Sequence, residues 1–570
     1  LAQSAELQKV GQEVLDLQKD LEDLRRPKDP MYQDVLKYVY PGLSNWTGEP
    51  GRAPERAQIW DDSAVRFNRL MGNGLMGFTM SPSIRWFSLG LFGKYGEPLK
   101  VLDIPGAASW LRSIEDAIYG IFSRSNFYSQ AADMGALAGS FGSPVVWCDT
   151  PRVAGEDWSF QCLHPGHTWF SEDERKALTT YSRLVRMQGK SLAANFKKIE
   201  EEIPALWKEW KDSPRKWFKV FHVTHPNDEW APGVRLDKKG KKFRSYYVTD
   251  GGDVLEDGGM DDSRFLGWRW QTTSDQVYGE SVSMDAMASI KVLQQMKRTL
   301  TTAAQLAVEP PLMIPDHLRN KANLVPRGQN FYSRADQRIE RVDLVGNYPI
   351  TDAAYQNQVG YVADCYHANL WLMLDRQSAA SRMTAYEVSQ RMGEKAAALA
   401  PILARHQSEF ADPLITMVYN VEMKAGRMPL PPPALRAYVG SRLVPIYTGP
   451  LAVAQRRNGV MDSLSMSLAA LSPIASIRSE VFDHLSFDGW VRTVMETSGV
   501  PGEVVNDPEA VMQIRQARIQ QSQAAQQQQA QLDFMKAYKG LTRAGEPGSP
   551  GKALAESFGI TQPEQNMGML

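Results

Sequence analysis

Proline placement constrains this chain more than any other feature, because in the second half prolines stand between long stretches that have none. A proline inside a helix removes a backbone bond and clashes with the preceding turn, so those stretches are where long helices can stand. Residues 281–307 carry Met284, Met287, Ile290, Leu293, Met296 and Leu300 on one side, the spacing of an amphipathic helix, and Pro310 and Pro311 stop it. A polar, strand-poor interval then runs to Pro349, and the pattern predicts a second helix over 352–374. Residues 375–383 (DRQSAASRM) are small and polar enough for a mobile loop. Thr384, Ala385, Tyr386 and Glu387 form a capping box, in which Thr384 and Glu387 satisfy orphan amides at a helix start. The helix it opens is expected to bend at Pro401 and Pro413 and to close at Gly426, with Pro429 and Pro431, Pro432 and Pro433 keeping it from resuming. Some forty helical residues would span about 60 Å. Residues 460–498 read as helical again. Between Pro508 and Gly540 the chain is rich in alanine and glutamine (QIRQARIQQSQAAQQQQAQLDFMKAYK) and has no helix breaker. Composition alone suggests low complexity, but the lack of breakers predicts a long polar helix stabilised by neighbours in an assembly. The last stretch, 541–570, reads as a tail.

The first half is of another kind. Leu7, Val10, Val14, Leu17, Leu21 and Leu24 follow the alternating spacing of a coiled-coil seam, which Pro27 and Pro30 are expected to end. About three heptads are marginal alone, so the seam must pack on its own domain or on another subunit. Residues 57–92 read as a helix followed by an aromatic-rich extended piece. Residues 107–141 form a second helical region ending in small residues around Gly135, Gly139 and Gly142. Short strands follow at 144–148, 158–163 and 217–223, and 245–259 (SYYVTDGGDVLEDGG) reads as a hairpin with glycine-rich turns. The fold class is mixed α+β, mainly α in the second half.

With 570 residues, 43% of them hydrophobic, the chain can bury a large core. Its 64 basic and 65 acidic residues leave a net charge of -1, whereas a protein that coats nucleic acid is usually visibly basic. Any DNA contact is therefore local or weak. Cys148, Cys162 and Cys365 are too few and too scattered for a disulfide framework and suit a reducing compartment. The N-terminal run LAQSAELQKVGQEVLDLQKD holds no signal-like apolar stretch, and no run is apolar enough to span a bilayer. The expectation is a soluble chain made in a cytoplasm.

Catalytic patterns are sought and not met. Gly189, Lys190 and Ser191 resemble the end of a phosphate-binding loop, but position 184 is leucine where a glycine is required, and no strand is expected before them. Gly279 to Ser283 fails the nucleophile-elbow pattern at its last position. His164/His167 and His222/His225 are the residue types of a metal site, with Cys162 near the first pair. FKVFHVTH reads as a strand, however, where residues three apart face opposite sides, so ordinary strand and turn histidines are expected. Asp250, Asp253, Asp257, Asp261 and Asp262 lack the spacing of a calcium loop and read as decoration of hairpin turns. No catalytic residue, metal site or cofactor is expected.

Several blocks in order resemble the head-to-tail connector (portal) family of podoviruses, the short-tailed bacteriophages. IWDDSAVRFNRLMGNGLMGFTMSPSIRWFSL (59–89) is similar to that family's opening block, a helix leading to a Trp-Phe pair, here Trp86 and Phe87. SNFYSQAADMGALAGSFGSPVV (125–146) is similar to its second. FLGWRWQTTSDQVYGESVSMDAMASIKVLQQMKRTLTTAAQLAVEPPLMIP (265–315) resembles the block with Trp-Arg-Trp, Tyr-Gly and a Pro-Pro after a helix. RMTAYEVSQRMGEKAAALAPILARHQSEFADPLI (382–415) and IYTGPLAVAQR (446–456) complete the set. Glu280 and Ser281 depart from the small, basic or proline-containing pair expected after Tyr278 and Gly279. The N-terminal seam and the glutamine-rich stretch lie outside the resemblance.

The resemblance implies a non-enzymatic subunit in a ring of about twelve copies at one capsid vertex, assembled in the host cytoplasm. Double-stranded viral DNA is packaged and ejected through such a ring. It implies an N-terminal helix over 1–30, a wing over 31–280 and 384–500, stem helices over 281–307 and 352–374, and a clip over 308–351. A tunnel loop would occupy 375–383, a helical crown or barrel 501–540, and the tail 541–570. The implied partners are further copies of the chain, DNA contacted without regard to sequence, the terminase motor, tail adaptors and other tail proteins, and the major capsid and scaffolding proteins. No membrane insertion is implied. Near-zero net charge suits a channel in which DNA must slide. Arg376 and Arg382 in the tunnel loop are candidates to steady DNA, about 24 positive charges over about twelve copies, or else to pair with a neighbouring subunit. Arg319, Lys321, Arg327, Arg334, Arg338 and Arg341 outnumber Asp316, Asp336, Glu340 and Asp343 and are candidates for a docking surface on the clip. The alternatives are another virion structural protein, such as a scaffolding or tail adaptor protein, and a packaging ATPase, which the incomplete phosphate loop disfavours.

Overall fold

The computed structural model describes residues 5–43, 59–94, 104–151, 155–231, 237–309, 311–316, 339–341, 348–375, 399–438, 442–449, 486–497 and 508–542, with isolated positions between. The chain divides into two units, Leu1–Leu485 and Ser486–Leu570.

In the first unit the N-terminal helix α1 (Ala5–Arg25) lies on a sheet. Its buried positions are Gly11, Val14, Gln18, Leu21 and Arg25, with Val14 among Val223, Tyr246, Val248 and Val254. The buried stripe is thus turned from the expected seam, and Leu24 is 47% exposed, because Arg25 rather than Leu24 faces inward. A Cβ at Gly11 would stand 2.0 Å from the carbonyl oxygen of Gly252, so only glycine lets the helix ride on that turn. Pro27 and Pro30 do not end helical structure as expected. Pro27 sits in a 3₁₀ turn, Arg26–Lys28, and Pro30 in the first turn of α2 (Asp29–Tyr38), where a missing N–H costs nothing.

Helix α3 (Ser63–Thr79) leads to strand β1 (Phe87–Phe92), and helices α4 (Ala107–Arg124) and α5 (Phe127–Phe141) follow. The small-residue run expected to close the second helical region is a helix crossing. A Cβ at Gly135 would meet the Gly72 carbonyl oxygen of α3 at 2.6 Å, so the two helices touch backbone to backbone. Helix α4 stabilises β1 by taking its free edge. The Phe87 N–H donates to the Tyr119 hydroxyl (2.8 Å), which donates back to the Phe87 carbonyl (2.8 Å), and the Leu89 N–H donates to the Glu115 carboxylate (2.6 Å).

Two antiparallel sheets make up the rest of the first half. Strands β2 (Val145–Asp149), β3 (Ser159–Cys162) and β9 (Phe265–Gly267) pair in the order β3-β2-β9. Strands β4 (Thr168–Glu172), β5 (Leu178–Gln188), β6 (Trp217–Pro226), β7 (Phe243–Thr249) and β8 (Val254–Met260) form a meander, the last two being the expected hairpin. The open edge of β3 is closed by side chains from the start of α5: Asn126 exchanges two hydrogen bonds with Phe160 (2.7 and 2.8 Å), and Gln130 accepts from the Cys162 N–H (2.7 Å). Strand edges met by fixed polar side chains cannot recruit another chain. One face of the meander carries α1. On the other, Leu192, Phe196, Ile199 and Trp210, from the short helices between β5 and β6, pack with Val220 and Leu255.

In the second half, the expected first long helix is split. Ser281 accepts the Met284 N–H (3.2 Å) and caps a one-turn helix, Val282–Asp285, before the main helix, Met287–Val308, begins. The expected second helix starts earlier, at Tyr348 with Pro349 in its first turn, and breaks between Tyr348–Cys365 and Ala368–Asp375. His367, at φ +52°, makes the break. Between the long helices, Leu312–Met313 pairs with Glu340–Arg341. Further on, helix Ala400–His406 runs through a π turn, Gln407–Ala411, into helix Asp412–Lys424, and Gly426 at φ +70° closes it as expected. Strand Arg442–Tyr447 returns to pair with β1. The capping box at Thr384 and Glu387 lies outside the described residues. The described second unit holds two helices, Phe487–Thr497 and Pro508–Thr542, and the side chains of residues 512–533 in the latter are all exposed.

Candidate functional site

Buried polar groups gather at the root of the long helix pair. Ser281 and Ser283 donate to the carbonyls of Ser140 (2.8 Å) and Gly139 (2.6 Å), both on α5, and the Gly279 N–H donates to Ser143 (2.7 Å). Ser283 also shares a hydrogen bond with the Tyr366 hydroxyl (2.7 Å), so the one-turn helix before the first long helix joins α5 to the break that follows the second. About three turns along, Gln294 accepts from the backbone of Trp60 and Asp61 and donates to the Asp61 carbonyl (2.7 Å). Asp61 accepts the Tyr355 hydroxyl (2.5 Å). Burial, then the Asp61 carboxylate, push Tyr355 up to about 12, which keeps it a donor. A strap from the N-terminus crosses the same root: Lys28 pairs with Glu280, and Asp34 with Lys291 (2.6 Å).

Two buried arginines tie this root to the sheets. Arg25 donates to the carbonyls of Pro165 (2.8 Å), Gly166 (3.1 Å) and Thr168 (3.2 Å), pairs with Asp29 (3.0 Å), and lies over the rings of Trp169 and Trp46. Arg269, 4% exposed, is the centre of the Trp-Arg-Trp run. Its guanidinium donates to Glu409 (2.7 Å), Glu172 (2.6 Å) and the Lys176 carbonyl (2.7 Å), while its N–H also donates to Glu409 (2.9 Å). Burial opposes charge on Glu172, but hydrogen bonds from Lys176 and Arg269 outweigh it and hold this carboxyl below the usual range. Beside Arg269, the buried His406 ring meets Trp268 edge to face at 4.9 Å, and burial pulls it down to about 4. A fully buried charge survives only with such partners.

Sequence reasoning passed over Arg269 as a family mark. The available signal was a permanent cation inside an apolar run, FLGWRWQ, which demands carboxylates from elsewhere.

Of the expected site residues, Arg376 and Arg382 lie outside the described residues, as do Arg319, Lys321, Arg327 and Arg338. Arg334 is exposed, and Arg341 stands in the short strand opposite Leu312. Gly189 requires a correction, since strand β5 directly precedes it where none was expected. It is still no phosphate loop: no loop separates strand from helix, and the N–H groups of Gly189 and Lys190 already donate to the carbonyls of Lys216 and Pro214. His222 is buried, accepts from Arg183 (3.1 Å) and bonds Ser245 (3.0 Å), whereas His225 bonds the Pro226 carbonyl; the pair does not converge. His164 and His167 stack at 4.6 Å on a 3₁₀ turn. Asp257 pairs with Lys238 and Arg244, and Asp261 with Lys241 and Lys424. Among the described residues no His, Cys, Asp or Glu cluster could hold a metal ion, and no helix is long and apolar enough to cross a membrane. A cleft of about 730 Å³ beside β1 is walled mainly by Leu89, Leu91, Trp110, Tyr419, Leu430 and Leu443.

Residues 11–505 match the family model described as bacteriophage head to tail connecting protein. This span takes in most of α1, which the five blocks left out, and stops short of the glutamine-rich helix. The portal protein of Salmonella phage epsilon15 is 26% identical over 521 residues, 89% of this chain and 90% of that one. The probable portal protein of Bordetella phage BPP-1 is 26% identical over 512 residues, 87% and 89% of the respective chains.

Proposed function

Since this chain belongs to the bacteriophage head to tail connecting protein family, we propose that it serves as a portal protein, a structural rather than catalytic part of the virion. The observation that carries this is the continuous match over residues 11–505, joined by two portal relatives that align along about nine-tenths of both chains. The fold suits the task. Twenty-two residues of helix, Met287–Val308, span about 33 Å, and their root is held by buried hydrogen bonds and ion pairs that a sliding load would have to break.

In this reading about twelve copies close into a ring around an axis wide enough for duplex DNA. The two long helices form the stem, residues 308–351 the clip, residues 375–383 the tunnel loop, and the C-terminal helix the crown. Arg376 and Arg382 steady DNA through its phosphates without reading sequence. Arg319, Lys321, Arg327, Arg334, Arg338 and Arg341 present the clip to the packaging motor and then to tail adaptors, and the outer surface meets capsid and scaffolding proteins.

Mass measurement and end-on electron micrographs of the purified protein test the ring. A particle of about twelve times 63.9 kDa with a central hole is expected, and a compact 63.9 kDa monomer under assembly conditions overturns it. For the loop, alanine at both Arg376 and Arg382 should lower packaged DNA density or retention; unchanged packaging removes their assigned role.

A further inference from the structure

The π turn Gln407–Ala411 holds one residue more than an α-helical turn, and that residue sets the phase of everything on its N-terminal side. Because of it, Leu403 and His406 face the core together with Phe410, Leu414 and Val418. Two features hold it in place. Pro413 has no N–H for the Glu409 carbonyl, so a straight α-helix would leave that oxygen unbonded and press it against the proline ring. From the side, Arg269 grips the Glu409 carboxylate with both its backbone N–H and its guanidinium.

We propose that residues 400–424 form a one-residue register switch latched by the Arg269–Glu409 pair. In the second register the turn is α-helical at the cost of an unbonded Glu409 carbonyl against Pro413, which the load or partner must offset. Residues 400–406 are then turned by about 100° and shifted by about 1.5 Å. Gln407 takes the place of His406 against Trp268, and Ala404 takes the place of Leu403. Both are uncharged, so the exchange buries no ion. Glu409 swings off Arg269, which keeps Glu172 and the Lys176 carbonyl. A torque or a bound partner that turns residues 400–406 is therefore felt at Arg269 and, through Glu172, at the β4–β5 turn of the five-stranded sheet. The coupling runs through a two-state element rather than through mere proximity, and it holds whatever the number of copies in the assembly.

The test uses the full chain carrying Glu409→Gln, Pro413→Ala, or both. Two readouts are taken, hydrogen exchange over residues 400–412 and carbethoxylation of His406 by mass spectrometry. In the double variant His406 labelling should rise about tenfold as the ring turns off Trp268. Exchange over residues 400–412 should change while exchange in α5 stays at the parent value, and its structure should show an unbroken α-helix with Gln407 against Trp268. Each single variant should show a smaller change in the same segment and a smaller rise in labelling. Retention of the wide turn in the double variant, with His406 as protected as in the parent, overturns the proposal. If the double variant does not fold, unchanged exchange and unchanged His406 labelling in both single variants overturn it equally.

Discussion

Helix α5 and the C-terminal helix Pro508–Thr542 are both rich in small side chains, yet they owe their helicity to opposite causes. In α5 the whole run 134–141 is buried and includes Gly135 and Gly139, residues that disfavour a helix by about 1 kcal/mol each. It holds because those glycines let it touch α3 backbone to backbone. The C-terminal helix exposes residues 512–533 without exception, and alanine, glutamine and a lack of breakers sustain it over 35 residues. One helix is made by its neighbours; within a single chain the other rests on its own composition. Damage should therefore be severe where buried contacts are lost and mild where only propensity is.

The largest effect is expected at Arg269. Arg269→Met leaves Glu409 without its cation and Glu172 with Lys176 alone, a loss of about 3–5 kcal/mol, read as a lower urea midpoint. Adding Glu409→Leu should recover part of it. Next is Gly135→Val, whose Cβ meets the Gly72 carbonyl at 2.6 Å and must push α3 and α5 apart. About 1–3 kcal/mol is expected, and a neutral result would mean that the crossing is looser than its geometry.

A smaller effect depends on pH. Unfolded, His406 takes a proton near pH 6.5, while folded and sealed against Trp268 it resists until about 4. The unfolded chain therefore binds more protons in that window, and stability present above about pH 6.5 is lost as pH falls toward about 4. The drop by about pH 5 should be on the order of 1–2 kcal/mol, and His406→Gln should flatten it. Parallel denaturation curves for parent and variant at both pH values would dismiss the assignment.

The same contrast explains what could be read in advance. Periodicity located the buried face of the long helix at Met287, Ile290 and Leu293, since a packed helix leaves its period in the sequence. It placed the start too early, because the Ser281 cap serves a separate turn. Strand β5 was missed before Gly189 because LTTYSRLVRMQ is covered on both faces and does not alternate. Arg269 could not be partnered in advance, as Glu172 and Glu409 stand 97 and 140 residues away. The rotated face of α1 was equally illegible: Gly11 and Gln18 are buried for the sake of the Gly252 turn and Ser182, not for their own hydrophobicity.

The smallest effect probes the exposed member of the pair. Ala525→Gly in the C-terminal helix should cost about 1 kcal/mol of local helix stability, seen as faster amide exchange around the substitution. With no described contact near it, the change removes only propensity. The value is most informative in the assembled particle. If copies of this helix pack against one another, as the lack of breakers in so polar a stretch led us to expect, Ala525 becomes an interface residue. Glycine then costs the packing as well, and the penalty exceeds that of the isolated chain. Equal penalties in the isolated and assembled states would mean that the helix stays solvated on all sides and that composition alone maintains it.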